Sequence, residues 1–476
     1  MTAARLIPGQ HVHLVGIGGA GLSAIARVLL RQGYFVSGSD RSASAVTEAL
    51  AREGALVYIG HDAQQVMGAE LVIVSSAVAD DHVEAAMARA LDIPVYRRAD
   101  IVGALTAGQQ VIAVAGTHGK TTTSAMIAHV LLEAGHDPSY IVGGTLRSTG
   151  SNAGVGRGRA FVIEADEYDN MYHGLRPQTA VVTSVEFDHP DFFATPGDMV
   201  RSFAHFVGLL SADGLLVACA DDPAALVLAQ NRLVSGLPVT TYGLDSPLAA
   251  WRGARVRVEG EHTLADVTHD GQARGALRLR VPGAHNVCNA LAALTAADRH
   301  GVAFDRAAAA LGTFEGAGRR FELRADVGGV AVIDDYAHHP TAIRVTLEAA
   351  RQRYPERAVW AVWQPHTYSR TRALLDGYAA AFGAADHVVV TDIYAAREQP
   401  IPGVTGAAAA AALAGADVRH APGLADAARL LAAGVRAPAV IVIMSAGDAP
   451  EIGRAFLQVW RAQTGQSDDR PAPTAG

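Results

Sequence analysis

The chain has 476 residues, half of them apolar and 18% charged, and carries a formal charge of −8 at pH 7. That is material for about three domains of ~150 residues each, and the acidic balance argues against nucleic acid or an anionic membrane surface as the main partner. Two cysteines, Cys219 and Cys288, make no disulfide framework, there is no cleavable leader pattern, and no apolar run nears the ~18 residues of a membrane span, so a cytoplasmic protein is expected.

Short β-branched runs alternate with Ala- and Leu-rich stretches, the pattern of parallel sheets covered by helices on both faces. The first unit is expected to hold strands at 11–15, 34–39, 57–59, 71–75 and 93–96. Between the first two strands lies Gly16-Ile17-Gly18-Gly19-Ala20-Gly21, which matches G-x-G-x-x-G and opens a helix over 22–32. Its glycines allow close backbone approach, and the helix N-terminus favours a pyrophosphate. Asp40 ends the next strand, where a carboxylate can accept from a ribose hydroxyl. Taken alone, this fingerprint suggests an NAD-dependent oxidoreductase. Residues 103–109 show no strong pattern and read as a linker.

A second unit begins at Val111, with strands at 160–165, 179–184 and 215–218, and antiparallel strands from Trp251 to Arg280. Its loop Gly116-Thr117-His118-Gly119-Lys120-Thr121-Thr122 contains the only lysine; the other 38 basic side chains are arginines. An ammonium is a compact point charge that fits inside a glycine loop, where a planar guanidinium does not. Val114 replaces the first glycine of the G-x-x-x-x-G-K-[ST] pattern, but the remaining Gly-x-x-Gly-Lys-Thr between strand and helix still points to ATP. Backbone amides would cradle the phosphates, Lys120 would bridge the terminal ones, and Thr121 would meet Mg²⁺. Acidic clusters follow two strands, at Glu164-Ala165-Asp166-Glu167 and Glu186-Phe187-Asp188-His189. Glu164 and His189 are the metal candidates. Glu186, Asp188 and Asp191 suit loop capping and solvated charge equally well. Asn286 and Asn289 share a helix face, which suits either a flat heterocycle or helix capping.

The third unit opens near Arg319, with strands at 330–334, 359–363, 387–392 and 439–444. Polar loops follow three of them, at Asp334-Asp335-Tyr336-Ala337-His338-His339, Gln364-Pro365-His366-Thr367-Tyr368-Ser369-Arg370 and Ser445-Ala446-Gly447-Asp448. They should converge on one sheet edge, where Arg370 could hold a carboxylate bidentately or form a structural ion pair. Residues 407–412 read as a helix, and 467–476 as a disordered tail.

Taken in order, these motifs resemble the cytoplasmic peptidoglycan-precursor ligases that add amino acids to UDP-N-acetylmuramate. The resemblance rests on His13-Leu14-Val15-Gly16-Ile17-Gly18-Gly19, Ser37-Gly38-Ser39-Asp40, Gly116 to Thr123, Glu164 to Glu167, His285-Asn286, Arg319-Arg320-Phe321, Asp335 to Pro340 and Gln364-Pro365-His366. It implies an α/β chain of three domains: an N-terminal Rossmann-like one (1–107) for the UDP-sugar, a central P-loop ATPase-like parallel sheet with a small antiparallel sheet (108–316) for ATP, and a C-terminal Rossmann-like one (317–466) for the amino acid. By position, Gly16, Gly18, Gly19, Gly21, Ser23, Asp40, His61 and Ser75 fall in the UDP-sugar cradle. Gly116, Thr117, His118, Gly119, Lys120, Thr121, Thr122, Asn289, Arg320 and Asp335 match the ATP-contacting set; Thr121, Glu164 and His189 match the Mg²⁺ ligands. Tyr336, His338, His366 and Arg370 match the amino-acid side, and Lys120, His338, His366 and Arg370 the catalytic groups.

Several later ligases of this pathway carry a carbamylated lysine, and this chain has no second lysine to modify. That agrees with the branch that adds the first amino acid, so L-alanine is the expected partner of UDP-N-acetylmuramate, with the protein a monomer or homodimer. Tyr168, in Glu-Ala-Asp-Glu-Tyr-Asp, also occurs in the recycling branch that attaches a preformed tripeptide. Ser184 stands where the family has Asn, and Thr367 where it has Arg. An oxidoreductase would leave the second glycine loop unexplained, and a nucleotide-binding regulator would leave the acidic strand ends without a purpose.

Overall fold

The computed structural model describes residues 6–79, 81–413, 415 and 417–465; the tail expected at 467–476 lies outside them. Three sheets follow one another along the chain. The first is all parallel, in the order Leu56–Ile59, Phe35–Asp40, His11–Val15, Leu71–Val74, Val95–Arg97. Its central strand, apolar and buried, feeds the glycine loop and then the helix Ala20–Arg31. A strand buried on both faces is the usual product of helices on each side of a parallel sheet.

The second sheet has ten strands. At its centre Gln110–Ala115 lies parallel between Thr179–Val182 and Ala160–Glu164, so the loops that follow all three emerge on one edge. The antiparallel strands 251–279 do not form a separate sheet, as expected from sequence. Trp251 pairs with Tyr242 on the strand Val239–Gly243, and this extends the parallel sheet into a mixed one. The third sheet runs Glu322–Val327, Val330–Asp335, Ala439–Met444, Ala358–Trp363, His387–Val390, Asp417–His420, parallel except for its first strand.

The linker expected at 103–109 is shorter, confined to the turn at 106–109. Arg98–Leu105 is a helix whose Ile101, Val102 and Leu105 are buried. Gly103 lies where a Cβ would stand 2.5 Å from the Gly174 carbonyl oxygen, so the glycine marks a close crossing of two segments. Tyr172, Met171 and Leu175 share a core with Ile101 and Leu105. The first two units therefore have a common apolar core, and the two glycine loops are held in fixed relation. Among the described residues no helix is long and apolar enough to cross a membrane.

Candidate active site

In the first unit the loop uses its own amides for closure. Gly16 and Ile17 donate to the Ser39 carbonyl at 2.8 and 3.0 Å, and Gly19 to that of Gly16. The Gly18 amide donates to Asp40 Oδ2 at 2.9 Å, so half of the carboxylate expected to meet a ribose instead braces the loop. Arg98 reaches over Gly21, and its guanidinium donates to Asp166 of the second unit at 3.0 Å. Ser75 stands against Gly16, its carbonyl accepting from Arg97. His61 Nδ1 donates to buried Glu84 at 2.8 Å, which leaves Nε2 open. Glu84 also accepts from Ser39 and contacts His13 at 2.7 Å; burial raises its pKa, but these hydrogen bonds outweigh burial and hold it below the usual carboxylate value. Ser23 departs from expectation. It is buried where the helix meets Asn152, between the first two units, because the helix turns that face to the strand Ser151–Gly154.

The central loop is built around Lys120. Gly116 has φ +140°, and a Cβ there would sit 1.9 Å from Thr183 Oγ1, so only glycine lets the loop pass. Thr117 exchanges two hydrogen bonds with the Glu186 backbone, at 2.8 and 2.9 Å, and the His118 amide donates to Ser184 Oγ. Gly119 starts the helix Lys120–Glu133 in the left-handed region, and Thr122 is buried in its first turn. Lys120 Nζ donates to the Gly116 carbonyl at 2.5 Å and lies 2.8 Å from both oxygens of Glu167. Burial disfavours the ammonium, yet Glu167, Asp166 and Glu164 together hold its pKa above the usual lysine value. The site thus keeps a cation that its own acids neutralise until an anion arrives.

Asn289 lies directly beneath this loop. Its Oδ1 accepts from Thr123 at 3.2 Å and stands 2.5 Å from where a Gly119 Cβ would be; its Nδ2 donates to Asn286. It supports the phosphate loop through Thr123 and Gly119. Arg320 crosses from the third unit and donates to Thr121 Oγ1 at 2.9 Å. Asp335 accepts from the Phe321 and Ala337 amides at 2.7 Å each, which pins that crossing. The guanidinium groups of Arg319 and Arg320 lie 5.0 and 5.1 Å from the centre of the Tyr336 ring.

Glu164 accepts from the Gly143 amide at 2.7 Å. Burial pushes its carboxyl up, against Lys120, Arg320 and a hydrogen bond with Thr121. A hydroxyl and a carboxylate adjoining a phosphate loop are the oxygen donors that Mg²⁺ takes. His189, at φ +56°, places Nε2 3.6 Å from Glu167 and Nδ1 3.3 Å from an Arg370 nitrogen. Burial opposes its proton, but Asp188 and Glu167 raise its pKa; a divalent cation would be favoured by the same carboxylates. Of these groups, the Thr121 hydroxyl and the Glu164 carboxylate have the oxygen-donor chemistry that a magnesium ion takes.

Arg370 offers no free fork. Its Nε donates to Asp188 at 2.6 Å, and one terminal nitrogen donates to His366 Nδ1 at 2.9 Å, all of it buried. Two loops meet here on opposite sides of an ion pair, so the charge expected to hold a carboxylate is neutralised by Asp188. His338 Nδ1 must donate to the Tyr336 carbonyl at 2.9 Å, since a carbonyl can only accept, and its Nε2 faces Asp188 at 3.6 Å. Burial lowers the pKa of His338 to about 4 and that of His366 to about 3, so both rings are neutral near pH 7. Neutral His366 accepts at Nδ1 and carries its proton on Nε2. His338 has the reverse tautomer, with a bare Nε2.

Sequence reasoning left Glu167, Asp188, Glu186 and Arg98 unassigned. Glu186 joins His118 at 2.8 Å and accepts from Thr341 Oγ1 at 2.8 Å, which ties the phosphate loop to the third unit. The signal was in the sequence, as acids directly after strands, but nothing local separates such an acid from one facing water.

Comparison with known proteins agrees with this geometry. Sequence profiles of the Mur ligase family match in chain order: the family's catalytic domain at residues 11–110, the Mur ligase middle domain at 114–297 and the Mur ligase glutamate ligase domain at 319–447. The UDP-N-acetylmuramate–L-alanine ligase of Renibacterium salmoninarum is 45% identical over 447 residues, which cover 94% of this chain and 95% of that one. Its counterpart from Roseiflexus sp. (strain RS-1) is 41% identical over 472 residues, 95% and 100% of the two chains. Among solved structures, UDP-N-acetylmuramate-alanine ligase from Thermotoga maritima has a TM-score of 0.81 at 28% identity, covering 96% of this chain and 100% of that one. A murein peptide ligase from Psychrobacter arcticus 273-4 has a TM-score of 0.73 at 27% identity, covering 95% and 98%. Three α/β units around a lysine phosphate loop define an ATP-dependent, amide-bond-forming ligase. The chain belongs to the Mur ligase family.

Proposed function

We propose that the chain joins L-alanine to the lactyl carboxylate of UDP-N-acetylmuramate with conversion of ATP to ADP and phosphate, in the cytoplasm, as a step of cell-wall precursor synthesis. The observation that carries this reading is the single ammonium of Lys120, caught between its loop carbonyls and Glu167 where the three units meet. In this reading residues 1–107 bind the UDP-sugar, 108–316 ATP and 317–466 alanine, in a monomer or homodimer. Gly16, Gly18, Gly19 and Gly21, braced by Asp40, receive the diphosphate, with His61 and Ser75 on the same side.

The lactyl carboxylate attacks the γ-phosphate and displaces ADP, so that a poor acyl donor becomes an acyl phosphate. Lys120, released from Glu167, neutralises charge on the transferred phosphoryl group, with the amides of 116–119 around it. Thr121, Glu164 and His189 would hold Mg²⁺, which would supply charge neutralisation at the phosphates when bound. The alanine amine then attacks the acyl carbon, and phosphate leaves. His338 Nε2, left bare because Nδ1 donates to the Tyr336 carbonyl, is set to accept a hydrogen bond from the alanine amine, whereas His366 is turned the other way by Arg370. Arg370 acts by fixing Asp188, His189 and His366.

A tripeptide acceptor is the second reading, favoured by Tyr168 and by the likeness to the murein peptide ligase. Incubation with UDP-N-acetylmuramate, ATP and, separately, Ala, Gly, Ser or tripeptide, followed by mass analysis, decides between them. A product heavier by one alanine residue is expected; no ATP-dependent product from any acceptor would refute both.

A further inference from the structure

The two cysteines of the chain are far apart in sequence but meet in space. Cys219 ends the strand Leu215–Cys219 and Cys288 lies early in the helix Ala284–Arg299, with their sulfurs 3.8 Å apart. Cys219 is buried, while Cys288 is partly open to solvent. Cys219 stands shortly before the helix Pro223–Val234, near the Asp221 and Asp222 amides, and a helix N-terminus favours thiolate. The hydrogen bond with Cys288 and these amides lower the Cys219 pKa against the opposing effect of burial. Asp221 is the nearest further ligating group, but its oxygens already accept from the Leu244, Asp245 and Ser246 amides. The pair is therefore better built for sulfur chemistry than for a metal ion.

We propose that Cys219 and Cys288 form a reversible dithiol–disulfide site closed by small peroxides. One thiolate takes an oxygen from the peroxide ROOH as the O–O bond breaks, giving a sulfenic acid and, with a proton, ROH. The second sulfur attacks the first, the S–O bond breaks, and the oxygen leaves as water. Two thiols lose two electrons together, the peroxide gains them, and both thiol protons end on oxygen. Bond formation draws the sulfurs from 3.8 Å to ~2.0 Å. The residue after Cys288 is Asn289, which props Thr123 and Gly119, so closure displaces the support of the phosphate loop. This second effect rests on the ATP site proposed above; the disulfide itself does not.

Full-length enzyme treated with hydrogen peroxide, then alkylated and weighed intact, tests the site. The expected result is loss of both alkylatable thiols and of two hydrogens without dimerisation, together with a KM for ATP raised on the order of tenfold, all reversed by dithiothreitol. The variants Cys288→Ser and Cys219→Ser should keep basal turnover and lose the reversible change in KM. Persisting free thiols in wild type, or direct conversion to sulfinic acid, would overturn the site. A disulfide that leaves the KM for ATP unchanged would overturn its link to the phosphate loop.

Discussion

The two glycine loops use one backbone device in two different electrostatic settings. Each follows an apolar strand and opens a helix. In the first, Gly16, Ile17 and Gly18 already give their amides to Ser39 and Asp40, and the nearest cation is Arg98, reaching in from outside. In the second, an ammonium sits inside the loop with Glu164, Asp166 and Glu167 around it. Glycines let a backbone come close to phosphate in both cases. The charge held beside them separates a site suited to a sugar diphosphate from one suited to a reacting triphosphate.

The largest break in this comparison comes from Lys120→Ala. ATP-dependent product formation should fall by at least about 10³-fold, while calorimetry shows UDP-N-acetylmuramate affinity within about twofold of wild type, since each loop is internally braced. Equal losses at both sites would mean that the loops are not independent. Lys120→Arg should fail nearly as badly, because a planar guanidinium cannot turn between carbonyls and carboxylate as an ammonium does.

The loops also differ in tolerance to a methyl group. In Gly116→Ala the Cβ would collide with Thr183 Oγ1 at 1.9 Å on a backbone with φ +140°. In Gly19→Ala the nearest atom is the Gly16 carbonyl oxygen at 3.3 Å, and φ is −67°. Steady-state kinetics should show about a 10²-fold loss in kcat/KM for ATP in the first variant. The second should change the KM for UDP-N-acetylmuramate by less than about fivefold. The reverse ranking would place the demanding loop in the first unit.

The parallel strands, both glycine loops and the lysine were legible because each is written in contiguous residues. Periodicity and composition are local properties, and a strand followed by glycines and a helix leaves a local trace. The last two strands at one end of the second sheet, Ser139–Leu146 and Ser151–Gly154, escaped notice because glycines interrupt their pattern. The last turn of the helix Arg98–Leu105 was taken for the start of a linker because 103–109 carries no strong pattern, whereas Gly103 is there to admit Gly174. At the site, Lys120 and Glu164 stood out, whereas the choice left open for Arg370, a bound carboxylate or a structural ion pair, could not be made because its partner Asp188 is 182 positions away. Glu186 was invisible for the same reason, since its meaning depends on Thr341. Pairings across units exist only after the sheets have assembled.

Glu186 also sharpens the comparison, because it ties the second loop to the third unit through His118 and Thr341, whereas the first loop is tied to the second unit through Arg98 and Asn152. Glu186→Gln and Thr341→Val should each raise the KM for alanine and for ATP together. The double variant should fall short of additivity by about 1 kcal/mol, roughly fivefold. Full additivity in the cycle would reduce the bridge to a surface contact.

Acid should separate the two regions by the smallest margin. Around the second loop, burial lowers His338 and His339 to about 4, from an ordinary value of 6.5. The unfolded chain takes up those protons as pH falls through 6.5, and the folded chain refuses them until about 4, so stability contributed there declines across that window. Glu84, beneath the first loop, is shifted down from 4.5 by His13, Ser39 and His61 despite burial. Its folded carboxylate stays ionised where the unfolded one would protonate, so its contribution is intact above 4.5 and lost only below. Hydrogen exchange measured from pH 7 to 5 should therefore show residues 335–343 losing protection while 12–17 and 36–40 keep theirs. His338→Gln should flatten the first response and leave the second alone. Parallel loss in both regions would show that the shared core between the first two units, not the groups beneath each loop, governs how the molecule opens in acid.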